Sequence, residues 1–178
     1  FRSKNINLKF ILVTCLVLIT SVQSYSQISK AEIIATGLTC SMCSNAINKQ
    51  LKATVGVDSV STDLNTNTFT VYFKKESKVM PKVLKEGVEK AGFFIGSLVI
   101  TVPTENLKIT SDKTFLLNGS TFILLSEEPK NSNGETKLRV FDKGYVTQKE
   151  HKKLLKTFAK ATSYSLDNED NYHIKIVL

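Results

Sequence analysis

Cys40 and Cys43, in the stretch "ATGLTCSMCSNAINKQL" at residues 35–51, are the side chains of this sequence whose type and spacing can do chemistry. Two thiols three positions apart, on a loop running into a helix, can aim both sulfurs at one point. A helix start offers unpaired amides and partial positive charge. Both favour the thiolate, the nucleophilic and metal-binding form of cysteine. Three chemistries are open to such a pair: holding a soft metal ion, trading electrons as a dithiol–disulfide couple, or stapling a loop.

The donor count narrows the metal. Structural zinc wants four ligands, and two thiolates alone are half of that set. Soft sulfur suits Cu(I), an ion content with two or three ligands. The two histidines, His151 and His173, have no ligand spacing to the cysteines and are expected to be an ordinary surface and strand residue. Met80 opens a helix and is expected in the core.

The start of the chain has the order of an export signal. Arg2, Lys4 and Lys9 precede an uninterrupted apolar run, "FILVTCLVLITSV", and small residues follow at Ser24 and Ser26. Basic, apolar, then small is the pattern of a cleaved secretory segment, and the run is short for a bilayer span. Residues 1–26 are therefore expected to be removed after Ser26. Cys15, inside the apolar run with Thr14 before it, should leave with them rather than carry lipid. The remainder holds 21 Lys and Arg against 16 Asp and Glu. Its basic residues, including "KK" at 74–75 and "HKK" at 151–153, lack interleaved aromatics, which gives nucleic-acid binding no support and reads as solvated surface. With only Cys40 and Cys43 left, disulfide architecture is not indicated.

The elements that must position the thiols alternate strand, helix, strand, strand, helix, strand. "KAEIIATG" is a strand with Ile33 and Ala35 on one face. In "CSNAINKQLKAT", Cys43, Ile47 and Leu51 form a helical stripe, with Ser41 or a neighbouring loop residue as the expected cap. "VGVDSVSTDL" and "FTVYF" are strands around the "NTNT" turn. "MPKVLKEGVEKAG" is a helix with Pro81 in its first turn, Gly92 at its end and Leu84, Val88 and Ala91 inward. "FFIGSLVITV" is the closing strand. This order predicts an α+β, ferredoxin-like βαββαβ unit with both helices on one sheet face.

Here a resemblance enters. "GLTCSMC" after the first strand, with its spacing to "GVDSV", "TFTVYF" and "VEKAGFF", resembles the heavy-metal-associated domain over about residues 28–103. Copper chaperones, N-terminal modules of copper-pumping ATPases and periplasmic mercury-binding proteins share that domain. The resemblance implies a binding and transfer module, not an enzyme, with Cys40 and Cys43 as metal thiolates. It implies that Gly37 lets the loop leave the strand, that the Thr39 hydroxyl steadies it, and that Leu38, where Met is usual, is buried beneath it. It places Met42 toward solvent rather than on the metal. Phe93 stands where the family carries Tyr, Phe or Lys, either shielding the ion or packing in the core. The cargo implied is Cu(I), with Hg(II), Ag(I), Zn(II) or Cd(II) as alternatives. The implied partner is a metal-transporting ATPase or another metal-acceptor protein. Localisation would be exported, periplasmic if the source is bacterial, with no stable membrane insertion after signal cleavage.

The principal rival is a thiol–disulfide oxidoreductase using the same pair. Against it, neither Pro81 nor Pro103 starts a strand suited to face the cysteines. A third reading is an adaptor whose C-terminal part does the work.

That part, residues 107–178, is expected to be a small β-rich domain, a partly open and OB-like barrel. "TFLLNG" and "STFILLSEE" join at Asn118–Gly119, and Asn118–Gly119–Ser120 also fits the N-glycosylation pattern. "TKLRVFDKGYVT" reads as a strand with a bulge near Gly144. "QKEHKKLLKTFAKA" reads as a helix capped by Thr147 with Glu150 three residues on and with Leu154, Leu155 and Phe158 inward. "NYHIKIVL" closes, with Tyr172, Ile174 and Ile176 on one face. The acidic runs at 127–128 and 167–170 read as solvated turns.

Overall fold

The computed structural model describes residues 27–126, 134–158, 164 and 171–177. The expected export signal at 1–26, both acidic runs and the helix continuation past Phe158 lie outside them.

The first half forms as its periodicities dictate. Strands β1 (Lys30–Thr36), β2 (Val57–Asp63), β3 (Thr68–Phe73) and β4 (Phe94–Pro103) alternate with helices α1 (Ser41–Lys52) and α2 (Pro81–Lys90). All pairings are antiparallel: Ile33 faces Phe69 on β3 and Leu98 on β4, and Val60 faces Val71. The resulting order β2-β3-β1-β4 is ferredoxin-like. Ile47 and Leu51 of α1 and Leu84 and Val88 of α2 are fully buried in one cluster with Ala31, Ile33, Phe69, Val71 and Leu98. Both helices therefore cover the same face. Each such side chain contributes about 1.5–3 kcal/mol of transfer free energy, which fixes the helix starts relative to the strand ends.

The second half does not close into the expected OB-like barrel. Strands β5 (Thr114–Leu117), β6 (Ser120–Leu124), β7 (Glu135–Val140) and β8 (Asn171–Val177) extend the first sheet. The outer edge of β4 pairs with β7 from Leu98–Val140 to Pro103–Glu135. The order is β2-β3-β1-β4-β7-β8-β6-β5, an open sheet in which only β6 and β8 run parallel. Closure of the second half on itself would require its outer strands β5 and β7 to pair; β7 instead pairs with β4 and β8, and among the described residues β5 pairs with β6 alone. Phe115, Phe122, Leu138, Val140, Tyr172 and Ile174 join the same hydrophobic cluster as α1 and α2. The ring of Phe122 stacks between Phe115 and Tyr172, at centroid distances of 5.2 and 4.9 Å. The Tyr172 hydroxyl accepts from the Lys82 backbone N–H in the first turn of α2 at 3.3 Å.

The strand expected over 136–147 stops at Val140. The cause is the change of partner after it. The Phe141 N–H donates to the His173 carbonyl at 2.9 Å, but the His173 N–H donates to the Asp142 carboxylate and not to a backbone carbonyl of β7. Gly144, at φ +87°, lies in a turn and not in a bulge. Helix α3 (Gln148–Thr157) then crosses the opposite sheet face, its N-cap Thr147 accepting from the Glu150 N–H. Leu154 and Phe158 pack on Phe141, Val146 and Tyr164, whereas Leu155, also expected inward, is 37% exposed. Arg139 binds Glu150 at 2.9 Å and donates to the Ser97 hydroxyl at 3.2 Å, tying α3 to β7 and β4. Among the described residues no helix is long and apolar enough to cross a membrane.

Candidate metal-binding site

The thiols sit where β1 hands over to α1. β1 ends at Thr36, whose hydroxyl donates to the Phe94 carbonyl at 3.2 Å. Gly37 turns the chain with φ +84°, a backbone region that a Cβ disfavours. Leu38 then dips against the core, half-buried, while Thr39 and Cys40 return to the surface. Leu38 thus lies beneath the loop, as the resemblance implied.

Cys40 is the N-cap residue of α1, extended at φ −151° and ψ 158°, and no side-chain hydrogen bond caps the helix. The expectation that Ser41 or a neighbour would cap it fails, because the cap position is held by a thiol. The Cys40 carbonyl accepts from the N–H of Cys43 at 3.1 Å and of Ser44 at 3.4 Å. This first turn brings the two Sγ atoms to 2.7 Å. Cys40 is exposed and Cys43 half-buried, and both are free thiols. The first turn of α1 carries no acidic residue to offset its positive end.

The hydrogen bond from the Cys43 thiol, then the backbone N–H groups of Cys43 and Met42, hold the Cys40 thiol below its ordinary range. Slight desolvation opposes them.

The other predicted residues fall around this pair without joining it. Met42 is 81% exposed. Phe93 is half-buried against the core, its ring 3.9 Å from where a Cβ on Gly37 would stand. It backs the loop as packing. Met80 is partly buried on the core, as expected. His151 lies on α3 and His173 on β8. Among the described residues no group of three or more His, Cys, Asp or Glu side chains gathers.

Sequence reasoning missed one cluster. His173 is 1% exposed, not an ordinary strand residue, and its Nδ1 lies 2.7 Å from Asp142 Oδ1. The other carboxylate oxygen accepts the His173 backbone N–H at 2.7 Å. The Tyr164 ring stands edge-on to the imidazole at 5.2 Å, its hydroxyl donating to the Phe141 carbonyl at 2.6 Å. His173 and Asp142 are 31 positions apart, and no local pattern announces the pairing. This cluster locks β8 to the loop after β7.

Residues 32–94 match the family model of the heavy-metal-associated domain. Among solved structures, the yeast copper transporter domain, determined in apo and Cu(I)-loaded states, is 37% identical. The match covers 36% of this chain and 88% of that one, with a TM-score of 0.33. A copper-binding domain from a P-type ATPase is 35% identical over 36% of this chain and 86% of its own, with a TM-score of 0.34. The N-terminal domain of a potential copper-translocating P-type ATPase from Bacillus subtilis, in its Cu(I)-loaded state, is 33% identical. It covers 38% of this chain and 82% of its own, with a TM-score of 0.34. A comparison with curated proteins finds no match. Through residues 32–94 the chain belongs to the heavy-metal-associated domain family.

Proposed function

We propose that this protein binds a soft metal ion, Cu(I) first, between Cys40 and Cys43 and hands it to the thiols of an acceptor protein. The observation that carries this reading is the pair of free sulfurs 2.7 Å apart on an exposed loop at a helix start. Metal–sulfur bonds of about 2.3 Å require the sulfurs to separate as the ion enters. Rotation of the exposed Cys40 side chain accomplishes that without moving α1. Binding needs thiolates and so releases protons to solvent.

Two soft donors without a third protein ligand leave the ion open on its solvent side. An acceptor thiolate enters there, a three-coordinate state forms, and the ion leaves as the Cys40 and Cys43 bonds break one at a time. Such a site works by exposure rather than enclosure, and by binding rather than catalysis. The acceptor would be a metal-transporting ATPase or another metal-binding protein. The basic, apolar, small-residue order of residues 1–26 supports export, into the periplasm of a bacterial source.

The test is a titration of the reduced protein with Cu(I) against a competing chelator, beside the Cys40→Ser, Cys43→Ser double variant. One tight equivalent that disappears in the variant is the expected result. Weak binding, or binding the variant keeps, refutes the carrier reading. The same sulfur contact also favours a second reading, thiol–disulfide exchange. A Cys40–Cys43 reduction potential in the range of known exchange catalysts, with no tight Cu(I) site, would establish that one instead.

A further inference from the structure

We infer that the outward face of α3 is an electrostatic docking face for an anionic lipid bilayer. Lys149, Lys152, Lys153 and Lys156 stand at i, i+3, i+4 and i+7 on this helix, and all four are exposed. At 3.6 residues per turn they fall within an arc of about 100°, in a row about 10 Å long. The only acid on α3, Glu150, is turned away from the row and occupied by Arg139 at 2.9 Å. Residues 104–178 contain 12 basic and 10 acidic side chains, nearly balanced. Helix α3 holds four basic residues and one acidic residue. The four lysines of α3 share one exposed face.

The row is held rigidly. Leu154 and Phe158 pack inward on Phe141, Val146 and Tyr164, and Thr147 caps the helix. Apart from Leu155, 37% exposed, the apolar side is thereby spent on the fold, so α3 does not sink into acyl chains while the protein is folded. What remains outward is charge without an apolar centre. Protein interfaces are built around buried aromatic, Met and Arg anchors and are depleted in Lys, and this face offers no anchor. Nor does it carry arginine forks or aromatics for nucleic acid. A bilayer of anionic headgroups needs neither. It attracts flexible, hydrated ammonium groups lying within a Debye length of its surface, and the attraction adds up lysine by lysine. The inference is independent of what Cys40 and Cys43 bind.

The test is co-sedimentation of the chain from Gln27, which contains every described strand and helix, with vesicles. One set contains 30 mol% phosphatidylglycerol in phosphatidylcholine, the other phosphatidylcholine alone, each at 50 and 300 mM NaCl. The Lys149→Gln, Lys152→Gln, Lys153→Gln, Lys156→Gln variant is compared with an equal-charge control, Lys49→Gln, Lys52→Gln, Lys74→Gln, Lys75→Gln. A third variant carrying Arg at the four α3 positions keeps the charge and controls for folding. Wild type, the control and the Arg variant should bind the anionic vesicles at low salt and release at high salt. The α3 Gln variant should lose on the order of a thousandfold in partitioning, roughly five- to sixfold for each lysine. No preference for anionic vesicles, or equal losses in both Gln variants, overturns the inference. Stripe-dependent retention on poly-glutamate beads without vesicle binding also overturns it, assigning the face to an acidic polypeptide.

Discussion

Phe122→Ala asks whether the two halves of the sheet fold as one body. Phe122 is fully buried, stacked between Phe115 and Tyr172, and its strand lies at the far end of the sheet from the cysteine loop. Truncating a buried Phe costs about 3–5 kcal/mol, and two ring contacts put this site toward the upper end of that range. A protein of this size has a total stability of about 5–15 kcal/mol, so the loss is large yet survivable. With a urea m-value of about 2 kcal/mol/M, the midpoint should fall by about 2 M. The assay is urea titration read by hydrogen exchange at the amides of β1 and β3, the strands behind the thiols, and separately at β7 and β8. One sheet and one core predict coincident midpoints for both groups, shifted equally by the substitution. If β1 and β3 keep wild-type protection while β7 and β8 lose theirs, the halves unfold separately. The shared strand β4 would then not couple them, and the reasoning fails.

Other expectations follow from single contacts. Cys43→Ala removes the strongest influence depressing the Cys40 thiol, so the pH at which iodoacetamide alkylates Cys40 at half its maximal rate should rise; an unchanged profile would show that the Cys43 thiol is not the cause. Asp142→Ala leaves the His173 N–H and ring nitrogen buried without their acceptor. It should cost about 2–4 kcal/mol, a fall of roughly 5–15 °C in Tm; a drop under 2 °C would refute the lock. Gly56 adopts φ +93°, and a Cβ there would meet Ser77 Oγ at 2.6 Å and Val79 Cγ2 at 2.9 Å, so Gly56→Ala should destabilise by at least about 1 kcal/mol in a denaturation curve. Thr147→Ala should cost about 1 kcal/mol, with Ser restoring most of it.

The first half was legible because its signals are local. Two-residue alternation in "FTVYF", the stripe Cys43–Ile47–Leu51 and Pro81 at a helix start each specify their element within a few residues. The order of those elements fixes which strand end carries the loop. The thiol pair was legible for the same reason, since one helical turn brings both sulfurs together. The second half depends on a long-range choice. Whether β5–β8 curl on themselves or extend β4 is decided by the free edge of β4, which no window of the sequence contains. The strand at 136–147 was read too long because "FDKGYV" keeps strand-like residues past Val140. The side chain of Asp142, reaching across to His173, ends the ladder there. The lysines of α3 were visible, but that the acid of this helix, Glu150, turns to Arg139 is a tertiary fact.

The use of β4 as a common strand has a consequence for how this module can be handled and reused. In a four-stranded βαββαβ unit standing alone, β4 is an outermost strand with a full row of unsatisfied amides and carbonyls. Here that strand reads "FIGSLVITVP", ten residues without a charge, the composition that invites edge-to-edge pairing and aggregation. β7 covers it along six residue pairs. The outer boundaries of the finished sheet are poor templates by comparison: β2 carries Asp58 and Asp63, and β5 is four residues long. The appended strands thus act as a protective cover for a sticky margin. A fragment cut after Pro103 to isolate the cysteine loop would trade a guarded edge for an adhesive one, and should self-associate before its metal chemistry can be measured.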